Sequence, residues 1–93
     1  MPDVTRKVVV GSRVGLHSRP AKMVAREAAK LDVVVKIGKN GGDAVDARSL
    51  LSILALGAKR GDEVVLTAQG EGAESAVDIL AMLIERDLDE DDV

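Results

Sequence analysis

The stretch Val33-Val34-Val35-Lys36-Ile37-Gly38-Lys39-Asn40-Gly41-Gly42 decides the fold of this chain. Its first five residues are mostly β-branched, which predicts a strand over residues 33–37. The Asn-Gly pair that follows tolerates the positive φ angles of a type I′ turn, so residues 39–42 predict a hairpin. Residues 42–47 then form a short return strand. One stretch of sequence therefore places two neighbouring strands of a sheet.

Upstream of this hairpin, the sequence predicts one strand and one helix. Residues 5–10 are rich in β-branched side chains, and the glycine-containing segment 11–15 ends this first strand. Residues 18–31 form a helix, because apolar side chains recur at the three- and four-residue intervals of one helical face. Those side chains are Ala21, Val24, Ala28 and Leu31.

Downstream of the hairpin, two helices flank a fourth strand. Residues 49–56 are apolar on nearly every side, and Gly57 stands where a helix C-terminal cap belongs. Residues 63–68 predict a strand, and residues 72–88 predict a helix with an inward apolar stripe. The stripe comprises Ala73, Ala76, Val77, Leu80, Leu83, Ile84 and Leu88. The order β-α-β-β-α-β-α predicts one α+β domain over residues 1–88, with helices packed on one face of a single mixed sheet.

The composition limits both the core and the chemistry. The 93 residues include no cysteine and no aromatic residue, and 46% of them are apolar. One domain with an aliphatic core is expected at this length. Disulfides, thiolate metal sites and a thiol nucleophile are excluded, as are aromatic cages and base-stacking surfaces. No cofactor is predicted, and a single histidine without clustered ligands does not favour a metal site.

Charge is distributed unevenly along the chain. The formal net charge is -3, but five of the 16 acidic residues lie in the last seven positions. Residues 1–86 carry 13 basic and 11 acidic side chains, so the body of the protein is mildly basic. Residues 89–93 are expected to form a frayed acidic tail. The sequence shows no signal-peptide core and no membrane-spanning run, which predicts a cytoplasmic protein without membrane insertion.

The segment Gly15-Leu16-His17-Ser18-Arg19-Pro20-Ala21 carries the candidate chemistry, at the junction of a loop and the first helix. Ser18 is predicted to cap the helix, and a proline suits its first turn. The N–H groups and the positive end of the helix dipole then face His17 and form an anion site. Arg19 adds a guanidinium suited to phosphate oxygens, and Gly15 lets the loop approach the amides.

Positive charge around His17 favours a neutral imidazole, whose ring nitrogen keeps a lone pair. Arg13, Lys22 and Arg26 add to that charge. A neutral nucleophile beside an anion site is what reversible phosphoryl acceptance requires, so the sequence predicts phosphorylation of His17 on a ring nitrogen. The alternative is a surface or helix-capping histidine without chemistry. A hydrolase is not indicated, because no nucleophile-elbow motif is present.

The segment around His17 closely resembles the active-site signature of HPr, the family of histidine-containing phosphocarriers of the bacterial phosphoenolpyruvate-dependent sugar phosphotransferase system. The resemblance extends over residues 5–84. A second segment, residues 47–57 (ARSLLSILALG), is similar to the helix that carries the regulatory serine of that family. Two motifs at the family's spacing make the resemblance more specific than either motif alone.

The resemblance implies both a fold and a function. The fold is an open-faced β-sandwich, in which a four-stranded antiparallel sheet of order 1-4-2-3 is covered on one face by three helices. His17 would take a phosphoryl group from enzyme I and pass it to the IIA domains of sugar permeases. The protein would be a monomeric carrier without turnover of its own, and an HPr serine kinase is a further possible partner.

Individual positions also match the family. His17 matches the phosphohistidine, with attachment at Nδ1, and Arg19 matches the phosphate-binding arginine. Ser49 matches the regulatory serine. The partner-docking residues are matched by Arg26, Leu50, Leu51 and Leu54. Two positions depart from the family pattern, since Val14 replaces a small polar residue and Ser18 replaces the frequent alanine.

Ser49 and the leucines that follow it also have purely structural interpretations. Ser49 is placed to cap the second helix, where the helix dipole and Arg48 would stabilise an added phosphate. An unmodified capping serine fits the sequence equally well. Periodicity cannot separate exposed leucines from core leucines in a helix this apolar.

Other classes of function stay open at this point. Residues 38–41 match the G-x-x-G loop of KH domains, which binds nucleic-acid backbone, although a hairpin turn explains the pattern better. An isoelectric point near 5.1 also disfavours nucleic-acid binding. A regulatory paralogue that binds partners without carrying phosphate would be marked most simply by loss of the histidine, and His17 is present. A phosphocarrier of a nitrogen branch stays open, because its site would look the same.

Overall fold

The computed structural model of this protein describes residues 3–86. The strands are β1 (Asp3–Val9), β2 (Val35–Lys39), β3 (Val45–Asp46) and β4 (Glu63–Gln69), and the helices are α1 (Ser18–Ala29), α2 (Leu50–Ala55) and α3 (Ala73–Glu85). The predicted order β-α-β-β-α-β-α is confirmed over this part of the chain. Leu88 and the predicted acidic tail lie outside the described residues.

β4 lies inside the sheet, between β1 and β2. The strand order is β1-β4-β2-β3, and every pairing among the described residues is antiparallel. The open-faced α+β sandwich implied by the family resemblance is confirmed. The mixed sheet expected from the residues alone is wrong, because strands of the same direction are never neighbours: β4 separates β1 from β2, and β2 separates β4 from β3.

An aliphatic core fills the space between the helices and one face of the sheet. Alternate residues of the strands point into it, as the two-residue period of a strand requires. Its largest fully buried side chains include Val10, Val24, Val35, Ile37, Ile53, Val64, Leu66, Val77, Leu80 and Ile84. Each such side chain contributes about 1.5–3 kcal/mol by its removal from water. The predicted α3 stripe is buried at Ala73, Ala76, Val77, Leu80 and Ile84, whereas Leu83 is half-buried.

The hairpin strands differ from their predicted bounds. β2 begins two residues late because its partner β4 ends at Gln69, and pairing starts where Val35 meets Ala68. β3 has only two residues instead of six. A Cβ atom on Gly38 would lie 2.7 Å from the Asp43 carbonyl oxygen, so the backbone at Asp43 passes close to β2. The return strand pairs with β2 only from Val45 onward.

The turn within this hairpin and the end of α1 also differ from the prediction. Gly42 N–H donates to the Lys39 carbonyl at 2.8 Å, which closes a four-residue turn. Gly41 has a φ of 88° but Asn40 does not have a positive φ, so the turn has the type II pattern and not type I′. α1 ends two residues early, because Leu31 N–H donates to the Ala28 carbonyl in a tighter last turn.

None of the helices in residues 3–86 has the length and apolar composition that crossing a bilayer would require.

Candidate phosphorylation site

The loop between β1 and α1 is held on one side by the C-terminal end of α3. Gly11 N–H donates to the Ile84 carbonyl at 3.0 Å, and a Cβ atom on Gly11 would lie 1.8 Å from the Glu85 carbonyl oxygen. Ser12 is buried, and its hydroxyl donates to the Arg86 carbonyl in a long bond of 3.5 Å. No side chain fits at position 11 and Ser12 is enclosed, so the end of α3 lies against the loop that leads to His17.

The same loop is held on its other side by the connection between α2 and β4. Leu16 N–H donates to the Ala58 carbonyl at 2.9 Å, and the Leu16 side chain is buried. Gly15 has a φ of 78°, and a Cβ atom there would lie 2.3 Å from the Ala58 carbonyl oxygen and 2.8 Å from the Cα atom of Lys59. The glycine therefore serves a close backbone contact as well as a turn.

The α2–β4 connection is itself fixed by Asp62. Its carboxylate accepts the Lys59 N–H at 2.9 Å, and its backbone N–H donates to the Lys59 carbonyl at 2.9 Å. The Lys59 N–H, with a smaller contribution from the Lys39 ammonium 3.5 Å away, lowers the pKa of this carboxyl below its usual 3.8. Val10 N–H donates to the Asp62 carbonyl at 2.9 Å, which joins this turn to the end of β1.

His17, and not Ser18, is the N-cap of α1. The His17 backbone is extended (φ -84°, ψ -171°), and its carbonyl accepts the first helical bond, which Ala21 N–H donates at 2.9 Å. The predicted Ser18 cap is wrong for a chemical reason. A capping hydroxyl needs the N–H two or three residues ahead, but Pro20 has none and the N–H of Ala21 already bonds to His17.

This helix start sets the geometry of the anion site. The N–H groups of Ser18 and Arg19 precede the helical ladder and project from the N-terminus of α1, where the helix dipole is positive. Pro20 supplies no N–H and is buried. The His17 side chain is half-buried, and the side chains of Arg13 and Arg19 in the flanking segments are exposed. An imidazole, two backbone amides and two guanidinium groups therefore come from one short segment, residues 13–19, at the start of α1.

α2 begins at the cap predicted from the sequence. Ser49 has an extended backbone, and its Oγ accepts the Ser52 N–H at 3.2 Å. In the unphosphorylated protein, Arg48 is paired with Asp46. The Arg48 guanidinium forms two bonds with Asp46, from Nη2 to Oδ2 at 2.7 Å and from Nε to Oδ1 at 3.0 Å. These bonds lower the pKa of the Asp46 carboxyl.

The leucines of α2 separate into exposed and packed positions. Leu51 is 78% exposed, the largest value among the exposed large apolar side chains of residues 3–86. Leu50 and Leu54 are half-buried against the core, and Ile53 is fully buried. Arg26 is exposed in the last turn of α1. The predicted docking residues thus lie on the surface or at its margin.

Several residues that hold the site were not singled out in the sequence. Gly11, Ser12 and Ala58 have small side chains that let neighbouring backbone segments approach. The only sequence signal for this packing was the pair of small residues, Gly11 and Ser12, directly after the first predicted strand. Asp62 ends a Lys-Arg-Gly-Asp turn whose polar composition was the available signal. Among residues 3–86, no group of three or more histidine, cysteine or acidic side chains is placed to hold a metal ion.

The G-x-x-G interpretation is wrong. Residues 38–41 cover the end of β2 and the turn that follows it, whereas the nucleic-acid-binding loop lies between two helices.

Comparisons with known proteins agree with this fold. The model of the family described as "PTS HPr component phosphorylation site" matches residues 4–86. A phosphocarrier protein HPr from Streptomyces coelicolor is 46% identical over 85 residues, which cover 91% of each chain. The HPr-like protein Crh from Bacillus subtilis is 34% identical over 85 residues, covering 91% of this chain and 99% of that protein.

A solved structure gives the same result. The crystal structure of a phosphocarrier protein HPr from Bacillus anthracis superposes with a TM-score of 0.84 at 31% identity, covering 90% of this chain and 99% of that one. The chain therefore belongs to the HPr family, the phosphocarrier proteins of the phosphotransferase system.

Proposed function

We propose that this chain carries a phosphoryl group on His17, which it takes from phosphorylated enzyme I and passes to IIA domains of sugar permeases. The observation that supports this most directly is the position of His17 as the N-cap of α1. As the N-cap, His17 directly precedes the backbone N–H groups that attract an anion together with the helix dipole. The protein is itself the substrate of each transfer and has no turnover of its own.

The transfer step is an in-line displacement. A neutral ring nitrogen of His17, Nδ1 by analogy with the family, attacks the phosphorus of the donor's phosphohistidine. The new N–P bond forms as the old one breaks, and the electron pair of the old bond returns to the donor imidazole. The N–H groups of Ser18 and Arg19, together with the Arg19 guanidinium, stabilise the equatorial oxygens. The reverse step delivers the group to an acceptor.

Partner docking is assigned to the surface beside this site. Leu51 offers an apolar contact, and Leu50 and Leu54 support it from half-buried positions. Arg26 adds positive charge at the margin, which suits partners with acidic surfaces. Truncating an exposed apolar anchor weakens binding without disturbing the core.

Ser49 is proposed as the regulatory phosphorylation site of an HPr serine kinase. A phosphate on Ser49 can keep the cap, because its oxygens can accept the Ser52 N–H that the hydroxyl now accepts. The adjacent Arg48, whose guanidinium now bonds to the Asp46 carboxylate, would be drawn toward the phosphate or shared between the two anions. The added negative charge would repel acidic partners from the docking leucines.

The test is incubation with phosphoenolpyruvate and enzyme I, followed by intact mass measurement before and after acid treatment. We expect one acid-labile phosphoryl group on the wild-type protein and none on His17→Ala. Circular dichroism of His17→Ala checks that the variant is folded. An acid-stable label, or a label that persists in His17→Ala, would refute the assignment.

Arg19→Lys tests the phosphate-binding role separately. Lysine keeps the charge but cannot hold two oxygens in a planar fork. We expect slower phosphorylation of His17 in this variant with an unchanged site of attachment. An unchanged rate of His17 phosphorylation in Arg19→Lys would show that the Arg19 guanidinium does not contribute to the transfer.

A further inference from the structure

A single peptide group links Asp62 to the residue directly before His17. The peptide bond between Ala58 and Lys59 is trans, and its carbonyl oxygen accepts the Leu16 N–H at 2.9 Å. The N–H of the same peptide group donates to Oδ2 of Asp62, also at 2.9 Å. Because a peptide group is planar and rigid, the carboxylate that holds its N–H also sets the direction of its carbonyl.

The Asp62 carboxylate also strengthens the bond on the far side of that peptide group. An N–H that donates to an ionised acceptor polarises its peptide group, which makes the carbonyl oxygen a better acceptor. The bond from the Leu16 N–H to the Ala58 carbonyl therefore depends on Asp62 for its strength as well as for its direction.

Asp62 is itself held by several contacts. Its backbone N–H donates to the Lys59 carbonyl at 2.9 Å, and its own carbonyl accepts the Val10 N–H at 2.9 Å. The Lys39 ammonium lies 3.5 Å from Oδ2, and the Asp62 side chain is half-buried. The carboxylate is therefore a fixed support for the peptide group that it holds.

The loop that leads to His17 is bound to the turn of residues 58–62 at both of its ends. At its start, the Val10 N–H donates to the Asp62 carbonyl, and the Val10 carbonyl accepts the Gly61 N–H at 2.9 Å. At its end, Leu16 is bound to the Ala58 carbonyl. The turn thus sets the position of the loop, and His17 follows directly in the chain.

We propose that Asp62 is a positioning residue for phosphoryl transfer. Its carboxylate orients the peptide group between Ala58 and Lys59, and that peptide group holds Leu16 so that His17 is correctly placed. The proposal rests on the proposed function, because it takes His17 to be the phosphoryl acceptor. The rate of an in-line displacement depends steeply on the placement of the nucleophile, and a shift of about 1 Å can cost about a hundredfold.

Variants of the full-length protein separate the hydrogen bond from the charge. Asp62→Ala removes the acceptor of the Lys59 N–H, whereas Asp62→Asn removes the charge and keeps a carbonyl oxygen that can accept this N–H. Lys39→Gln removes the ion pair and leaves the carboxylate. Asp46→Ala is the matched control, because the Asp46 carboxylate accepts the Arg48 N–H at 2.9 Å in the turn before α2.

Rapid-quench measurements with excess phosphorylated enzyme I give the saturating rate of transfer and the concentration of enzyme I at half-saturation. We expect Asp62→Ala to lower the saturating rate about tenfold. The half-saturating concentration should be unchanged, since the docking leucines are intact. Asp62→Asn, Lys39→Gln and Asp46→Ala should transfer at close to the wild-type rate, and rescue by asparagine would identify the hydrogen bond as the cause.

Three results would overturn the proposal. The first is an unchanged saturating rate in Asp62→Ala. The second is equal slowing by Asp62→Ala and Asp46→Ala, which would reduce the effect to lost stability. The third is equal slowing by Asp62→Ala and Asp62→Asn, which would assign the effect to charge instead of the bond to the Lys59 N–H.

Hydrogen exchange of the Leu16 amide tests the same link without enzyme I. We expect this amide to exchange about fivefold faster in Asp62→Ala than in wild type, because its bond to the Ala58 carbonyl is weakened. Asp46→Ala should leave its exchange unchanged. Failure of the wild-type protein to accept a phosphoryl group would refute the proposed function, whereas unchanged exchange of Leu16 in Asp62→Ala would refute the positioning role.

Discussion

Gly15 and Ala58 are so close that no side chain fits between them. Leu16 N–H donates a hydrogen bond of 2.9 Å to the Ala58 carbonyl oxygen. A Cβ atom added to Gly15 would lie only 2.3 Å from the same oxygen. One carbonyl group of the α2–β4 connection thus fixes the two residues directly before His17. The position of the proposed nucleophile depends on a contact with a segment about forty residues away in the sequence.

Gly15→Ala should destabilise the fold by about 2–4 kcal/mol, because a positive φ and a backbone clash both oppose the added methyl group. Gly57→Ala is the matched control. Gly57 has a φ of 63° but open space around its Cβ position, so only the conformational cost of about 1 kcal/mol applies. Urea denaturation measures both values.

Equal destabilisation by the two alanine substitutions would contradict the close contact with Ala58. Phosphorylation of His17 by enzyme I gives a second readout. We expect it to slow in Gly15→Ala and to be unaffected by Gly57→Ala.

Leu51→Ala and Ile53→Ala should separate docking from stability. Leu51 is 78% exposed, so its truncation should change the free energy of unfolding by less than about 0.5 kcal/mol. Ile53 is fully buried, and its truncation should cost about 2–5 kcal/mol. Isothermal titration with enzyme I should show weaker binding for Leu51→Ala. Unchanged affinity would remove Leu51 from the docking surface.

Ser49→Ala should destabilise the protein by about 1 kcal/mol through loss of the cap on the Ser52 N–H. Ser49→Asn is the matched control, since asparagine also caps helices but has no hydroxyl to phosphorylate. Both variants should resist an HPr serine kinase, and only the alanine variant should have a lowered melting temperature. A lowered melting temperature in both would mean that the cap bond is not what stabilises α2.

Asp62 should contribute to stability above about pH 4 and lose that contribution in acid. Its pKa in the folded protein is lowered, first by the Lys59 N–H, so the folded state favours the charged carboxylate. The contribution is present above the ordinary value of 3.8 and is lost as the pH falls through the lower folded pKa. The difference in unfolding free energy between wild type and Asp62→Asn should therefore become smaller as the pH falls from about 5 to about 2. Urea denaturation at each pH measures this difference. A difference that is constant across this range would contradict the lowered pKa.

The order of the elements could be predicted from hydrophobic period and turn residues, whereas the bounds of the hairpin could not. β2 is limited by the length of β4, and β3 by the approach of Asp43 to Gly38. Both limits come from partners that are remote in the sequence or from backbone contacts that side-chain patterns do not encode. The antiparallel sheet could be obtained only from the family resemblance, because strand order is not a local property.

The candidate site, too, could be predicted from the sequence only in part. The helix start beside His17 could be predicted to within one residue, since proline and a polar residue mark it. The choice of cap depended on one N–H group, that of Ala21, which could bond to His17 or to Ser18 but not to both. Whether Leu51 or Ile53 faces solvent could not be predicted, because α2 is apolar on nearly every side and only the packed structure assigns its faces.

The inner position of β4 has a consequence for the synthesis of the protein. β1 and β2 each pair with β4 along their length, whereas the one pairing available without it is the two-residue ladder between β2 and β3. A growing chain that has not yet released residues 63–69 from the ribosome therefore cannot assemble its sheet. Folding of the sheet is then governed by contacts between strands that are far apart in the sequence, such as Asp3 with Gln69.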